Sequence, residues 1–154
     1  MGRSGIFDSA LFQEDVERAL MFLDRVRSVL VYPLDGMRKS SETHARLGLG
    51  VMGFADLLTR ANIAYGSKKS LQVAESIASM MKQKADEWKQ KTRVSRSVLT
   101  LAPTGGTSLL VGSSFSIEPH FREAHKISPS AHVDMQAAWQ KYIDNGVSKT
   151  VNLA

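Results

Sequence analysis

The chain has 154 residues, 43% hydrophobic and 23% charged, with a formal net charge of +5 and no cysteine. That bounds it to a single domain, residues 1–154, with enough apolar content for a core. It excludes disulfides, thiolate metal sites and thiol chemistry from the chain's own residues. No apolar run reaches bilayer length and the N-terminus lacks a signal-peptide pattern, so the expectation is a cytoplasmic protein with no membrane partner.

The first helix is expected from Asp8 or Ser9 to about Val31, because Phe12, Val16, Leu20, Leu23, Val26 and Leu30 recur at helical spacing and Pro33 stops the run. Residues 33–43 read as a polar connection. Arg46 to about Ala61 reads as a helix that is apolar on every side and wants burial all round. It contains Gly48-Leu-Gly-Val-Met-Gly53, a literal G-x-G-x-x-G. With no strand expected before it and no βαβ unit after it, the bland reading is preferred: small residues admit a closely packed neighbour. The next helix runs from Ser67 or Ser70 to about Thr92, with a seam of Leu71, Ala74, Ala78, Met81, Ala85 and Trp88. A strand is expected at Val98–Ala102, a helix over about Ala131–Asn145 ended by Asn145-Gly146, and a second strand at Val147–Leu153. The fold class expected is therefore α-rich α/β, with about four main helices and one short parallel strand pair.

Between the strand and the apolar run Leu109-Leu110-Val111 lies Pro103-Thr-Gly-Gly-Thr-Ser108, the most suggestive motif in the chain. Strand, glycine turn and helix start are the parts of an anion cradle. Gly105 and Gly106 let the backbone approach a ligand, the helix start aims unused N–H groups, and Thr104, Thr107 and Ser108 add hydroxyls. It is not a Walker loop, since no lysine follows the glycines. The competing reading is an ordinary strand-to-helix turn with a Thr or Ser cap.

Four collinear segments resemble the catalytic subunit of ribonucleotide reductases, most nearly the adenosylcobalamin-dependent branch. They are Arg46-Leu-Gly-Leu-Gly-Val-Met-Gly-Phe-Ala-Asp56, Leu99-Thr-Leu-Ala-Pro-Thr-Gly106, Ser116-Ile-Glu-Pro119 and the run from His132 to Leu153. Helix 1, with Phe22-Leu-Asp24 and Tyr32-Pro33, also fits the family. The resemblance implies the later part of a ten-stranded α/β barrel. It also implies that the turn matching Pro103 to Ser108 holds the phosphates of a nucleoside di- or triphosphate. Family members use a thiyl radical, a cysteine pair as reductant, and Asn and Glu on a loop inside the barrel. A chain without cysteine supplies neither radical site nor reductant, so no catalytic residue is assigned here. No cofactor is expected on this chain alone, adenosylcobalamin being implied for the full-length family. Three departures accompany the match. Gly106 stands where the family has Thr, Phe115-Ser116 replaces a small or polar residue followed by Gly, and the link from Pro119 to His132 is short.

The expected partners are a separate N-terminal reductase chain meeting the strand edges, and further copies of this chain. The alternative is a non-catalytic remnant that binds phosphorylated ligands as an oligomer. A third reading, nucleic-acid binding through Lys82, Lys84, Lys89, Lys91, Arg93 and Arg96, lacks any recognition element and ranks last. His120 and His125 around Glu123 make a poor zinc site with no cysteine to support them. Glu118 is a candidate general acid or base, but a lone Glu before Pro119 reads more readily as a turn or capping carboxylate. Ser113-Ser114 has no recognisable His/Asp partner for a hydrolase triad.

Overall fold

The computed structural model describes residues 7–92 and 97–151. Among the described residues seven helices follow one another: α1 (Ser9–Val29), α2 (Asp35–His44), α3 (Phe54–Arg60), α4 (Lys68–Thr92), α5 (Gly105–Val111), α6 (Phe121–Ala124) and α7 (Pro129–Gln140). Asp8 caps α1 by accepting from the amides of Ala10 and Leu11, and Ser128 caps α7 with Pro129 in its first turn. The long helix α4 is the centre of the molecule. It packs against α1 on one side and α7 on another. The expected seam is its buried face: Ala74, Ala78, Met81, Ala85 and Trp88 lie in the core with Val16 and Leu20 of α1 and Met135, Ala138 and Trp139 of α7. Its small alanines let neighbouring helices approach closely.

The expected α/β class with a strand pair is not what the chain forms. The described residues are mainly helical and contain no sheet. Extended segments meet only at two single parallel bridges, Leu49 with Leu99 and Leu101 with Val147. Hydrogen bonds show why the second cannot lengthen. Leu101 N–H donates to Gly146 O (3.2 Å) and Ser148 N–H to Leu101 O (2.9 Å). The next donor in that register would belong to Pro103, which has none. On the other side, the Asp144 carboxylate takes the amides of Val98 (2.9 Å) and Leu99 (3.3 Å), displacing a backbone acceptor. Of the strand expected at Val147–Leu153, residues 152–153 lie outside the described residues.

Three other expectations are corrected. Residues 33–43 are not a mere connection, because α2 forms there without burying a residue. Arg38 bonds Asp35 (3.1 Å) and Glu42 (3.3 Å) one turn either side, and Ala45 closes the helix in a left-handed cap. Arg46–Ala61 is not one helix, since residues 46–53 run without helix and only Phe54–Arg60 coils. Gly50 explains the difference: a Cβ there would lie 2.5 Å from the Thr100 carbonyl oxygen. The glycine segment thus lies flat against the 98–101 segment, and Gly53 (φ 78°) turns the chain into α3. Small residues do admit a close neighbour, but not against a helix. The last long helix ends at Gln140 rather than Asn145. The Gln140 amide holds the chain beyond by donating to Ile143 O and Asn145 O, and its oxygen accepts from Val147 N–H.

Candidate functional site

The turn at 103–108 is held from within. Thr104 has φ 58°, in the left-handed region that β-branched residues rarely adopt. Its hydroxyl shares a hydrogen bond with Ser108 Oγ (2.9 Å) and accepts Ser116 N–H (2.9 Å), while its carbonyl accepts Ser108 N–H (2.8 Å). Ser108 is fully buried. Two of the three hydroxyls expected to face a ligand are therefore bonded inside the protein, and Thr107 is the exposed one. Outside, the picture is the reverse. A Cβ added to Gly105 or Gly106 would meet nothing within 4 Å. Among the described residues, no acceptor takes the amides of Gly105, Gly106 or Thr107. Leu109, Leu110 and Val111 continue α5 as an exposed apolar face, with Phe121 also exposed.

The G-x-G-x-x-G segment has the opposite character. Gly53 N–H donates to Ser114 O (2.9 Å), Phe54 N–H to Ser116 O (3.4 Å) and Asp56 N–H to Ser114 Oγ (3.3 Å). The first turn of α3 thus spends these amides on the 113–116 loop, and Asp56 accepts Ser114 N–H (2.7 Å) in return.

Behind the turn lies a buried ionic cluster. The Lys149 ammonium, with its side chain 1% exposed, donates to the Glu118 carboxylate, to His132 Nδ1 (2.8 Å) and to Thr150 O (2.9 Å). Glu118 also accepts Thr150 N–H (2.7 Å), and Tyr65 O–H donates to Ile117 O (2.6 Å). Burial pushes the Lys149 ammonium below its usual range, with Glu118 opposing. Burial also lowers His132, the Lys149 charge adding to it against Glu118 and the Ala124 backbone. His132 is therefore neutral with Nδ1 as acceptor. Its buried Nε2 makes no hydrogen bond of normal geometry. Burial, with the Glu118 charge, raises the Tyr65 phenol. Sequence reasoning took Glu118 for a turn carboxylate and missed the other three. The available signal was alternation, which puts Lys149 on the same side as inward-facing Val147.

The remaining candidates are dispersed. His120 Nε2 lies 3.4 Å from Asp56 Oδ1, and His125 follows α6. No group of three potential metal ligands occurs among the described residues. Each described lysine of the basic stretch faces a carboxylate: Lys82 and Lys89 meet Asp144 (3.5 and 2.8 Å), Lys84 meets Glu87 (2.7 Å), and Lys91 meets Glu17 of α1 (3.0 Å). Arg93 and Arg96 lie outside the described residues. A groove of about 590 Å³ beside α3 and α4 is lined mainly by apolar groups such as Leu58, Ile63, Val73 and Met80. That volume falls within the range of small-molecule sites, and its lining carries no imidazole to offer a cobalt ion. No helix among the described residues is long and apolar enough to cross a membrane.

Residues 2–92 and 119–154 match the family model described as ribonucleotide reductase, barrel domain. The chain belongs to that family. The match omits residues 93–118 of this reductase-family chain, and the glycine turn lies among them. The chain is 28% identical to a vitamin B12-dependent ribonucleoside-diphosphate reductase of Thermoplasma acidophilum, over 92% of its own length and 29% of the relative's. A protein of the same description from Mycobacterium tuberculosis is 25% identical over 88% of the chain and 31% of the relative. A ribonucleoside-diphosphate reductase subunit alpha of Chlamydia pneumoniae is 30% identical over 51% of the chain. The chain thus spans less than a third of its B12-dependent relatives. The Thermoplasma alignment covers 220 positions, more than this chain possesses, so the relative carries sequence that is missing here.

Proposed function

We propose that the chain contributes a phosphate-binding turn for a nucleoside di- or triphosphate to a ribonucleotide reductase assembly and is not catalytically competent alone. One observation carries the reading: the amides of Gly105, Gly106 and Thr107 stand at a helix start, with open space where a Cβ would go on either glycine and no protein acceptor among the described residues. Thr107 O–H is placed to add a donor. With no cysteine in the sequence, radical generation and reduction fall to a partner chain. The same partner would hold adenosylcobalamin, which supplies the radical in the dependent branch. The exposed side chains of Leu109, Leu110, Val111 and Phe121 support a protein partner covering α5, because apolar surface of this kind is usually buried in an assembly.

Calorimetric titration tests the ligand. A nucleoside diphosphate should bind, the unphosphorylated nucleoside should not, and Gly105→Val with Gly106→Val should abolish binding without lowering thermal stability much. Equal binding of the nucleoside, or an unaffected valine variant, would refute the phosphate assignment.

A further inference from the structure

We propose that Lys149 is a positioning residue for the 103–108 turn, acting through Glu118 and Ser116 to hold Thr104 in its left-handed conformation. As a statement about phosphate binding, this rests on the reading above; as a statement about the turn, it stands alone.

Both flanks of the turn lead back to the segment that carries Lys149. On the entering side, Leu101 is bridged to Val147 and accepts Ser148 N–H (2.9 Å). On the far side, Thr104 Oγ1 accepts the amide of Ser116, two residues before Glu118. Glu118 is gripped twice by the same segment, by the Lys149 ammonium and the Thr150 amide. Tyr65 holds Ile117 between them, and the Lys149 ammonium lies 5.8 Å from the Tyr65 ring centroid. The path from Lys149 to Thr104 is thus continuous through bonded groups.

Lys149 does not itself reach a ligand. Its three donors are spent on Glu118, His132 and Thr150 O, and its side chain is 1% exposed. A buried ammonium is costly to desolvate, and replacing a whole buried pair by apolar groups often preserves stability, whereas removing Lys149 alone leaves the Glu118 carboxylate unpaired. What a methionine cannot do is fix the direction of the Glu118 carboxylate. That direction sets Ser116, which together with Thr104 occupies the left-handed region (φ 38° and 58°). Two neighbouring residues in that region persist only when the surroundings over-determine them.

The test uses the full chain, comparing Lys149→Met and Glu118→Gln with the natural sequence by amide hydrogen exchange without ligand, then by nucleoside diphosphate titration. Exchange at Ser108 and Ser116 should quicken by about tenfold in either variant, while α1 and α4 core amides keep their protection. Affinity should fall by about tenfold, and adding Lys149→Met to Thr104→Ala should cost no further affinity, since both act on one path. If Lys149→Met does not fold, Glu118→Gln carries the same measurements. Unchanged exchange at Ser108 and Ser116, or uniform loss of protection throughout the chain, overturns the proposal. Faster local exchange in a protein that binds no nucleotide supports the clamp and removes only the phosphate reading.

Discussion

Replacing Ser116 by glycine should stabilise the protein, although it deletes atoms from the core. Ser116 is fully buried, holds φ 38°, and its hydroxyl has no hydrogen-bond partner. Left-handed backbone costs an L-residue about 1–2 kcal/mol, and a buried hydroxyl without a partner about 1–3 kcal/mol. Against this, glycine adds unfolded-state freedom of about 0.5–1 kcal/mol, and one lost methylene forfeits about 0.8 kcal/mol. Both structural bonds at this residue are made by the backbone, Ser116 N–H to Thr104 and Phe54 N–H to Ser116 O, so glycine keeps them. The net is a gain of about 2 kcal/mol, within a span of about 0.2–4, at about 2–4 °C in Tm per kcal/mol for a chain of this size. Scanning calorimetry of Ser116→Gly and Ser116→Ala separates the two contributions, since alanine sheds the hydroxyl but keeps the strain. Both variants should melt above the natural protein and within about 1 kcal/mol of each other, because strain relief in glycine is roughly offset by its freedom in the unfolded chain and the lost methylene. A glycine variant melting at or below the natural protein would refute the reasoning.

Three further outcomes are expected. The folded-state pKa of His132 is depressed below the unfolded value of about 6.5, so the unfolded chain takes up a proton that the folded chain resists. Stability should therefore fall as pH drops through about 6.5, and His132→Asn should flatten that part of a denaturant-midpoint profile. Burial raises the Asp144 carboxyl, but Lys89 and the Val98 and Leu99 amides outweigh it and leave it lowered. Asp144→Ala strands two buried amides and a lysine and should cost about 2–4 kcal/mol by urea unfolding. Gly50→Ala forces a Cβ against the Thr100 carbonyl and should cost about 1–3 kcal/mol by the same measurement, whereas Gly36→Ala, with open space around it, should not.

The long helices were readable because their signals are local. The seam of α4 and the cap at Asp8 need only neighbours in sequence. The strand pair misled because β-rich composition at Val98–Ala102 says nothing of what takes its hydrogen bonds; here a proline and the Asp144 side chain cut the pairing to single bridges. Arg46–Ala61 misled because a run apolar on every side suggests a buried helix, whereas its glycines answer to a distant carbonyl, that of Thr100. The turn at Pro103–Ser108 was legible as a helix start. The inward use of Thr104 and Ser108 was not, since it depends on Ser116 arriving from twelve residues away. The Lys149 cluster joins residues from four separate segments, those of Tyr65, Glu118, His132 and Lys149, and only the inward alternation of Val147 and Lys149 hinted at it.

Amide-resolved NMR titration with a nucleoside diphosphate tests the central claim most directly. The account predicts that Gly105, Gly106 and Thr107 shift furthest and saturate together, with the nucleoside causing no such change. Shifts confined to another surface, or still amides at those three residues in the presence of saturating nucleotide, would contradict it.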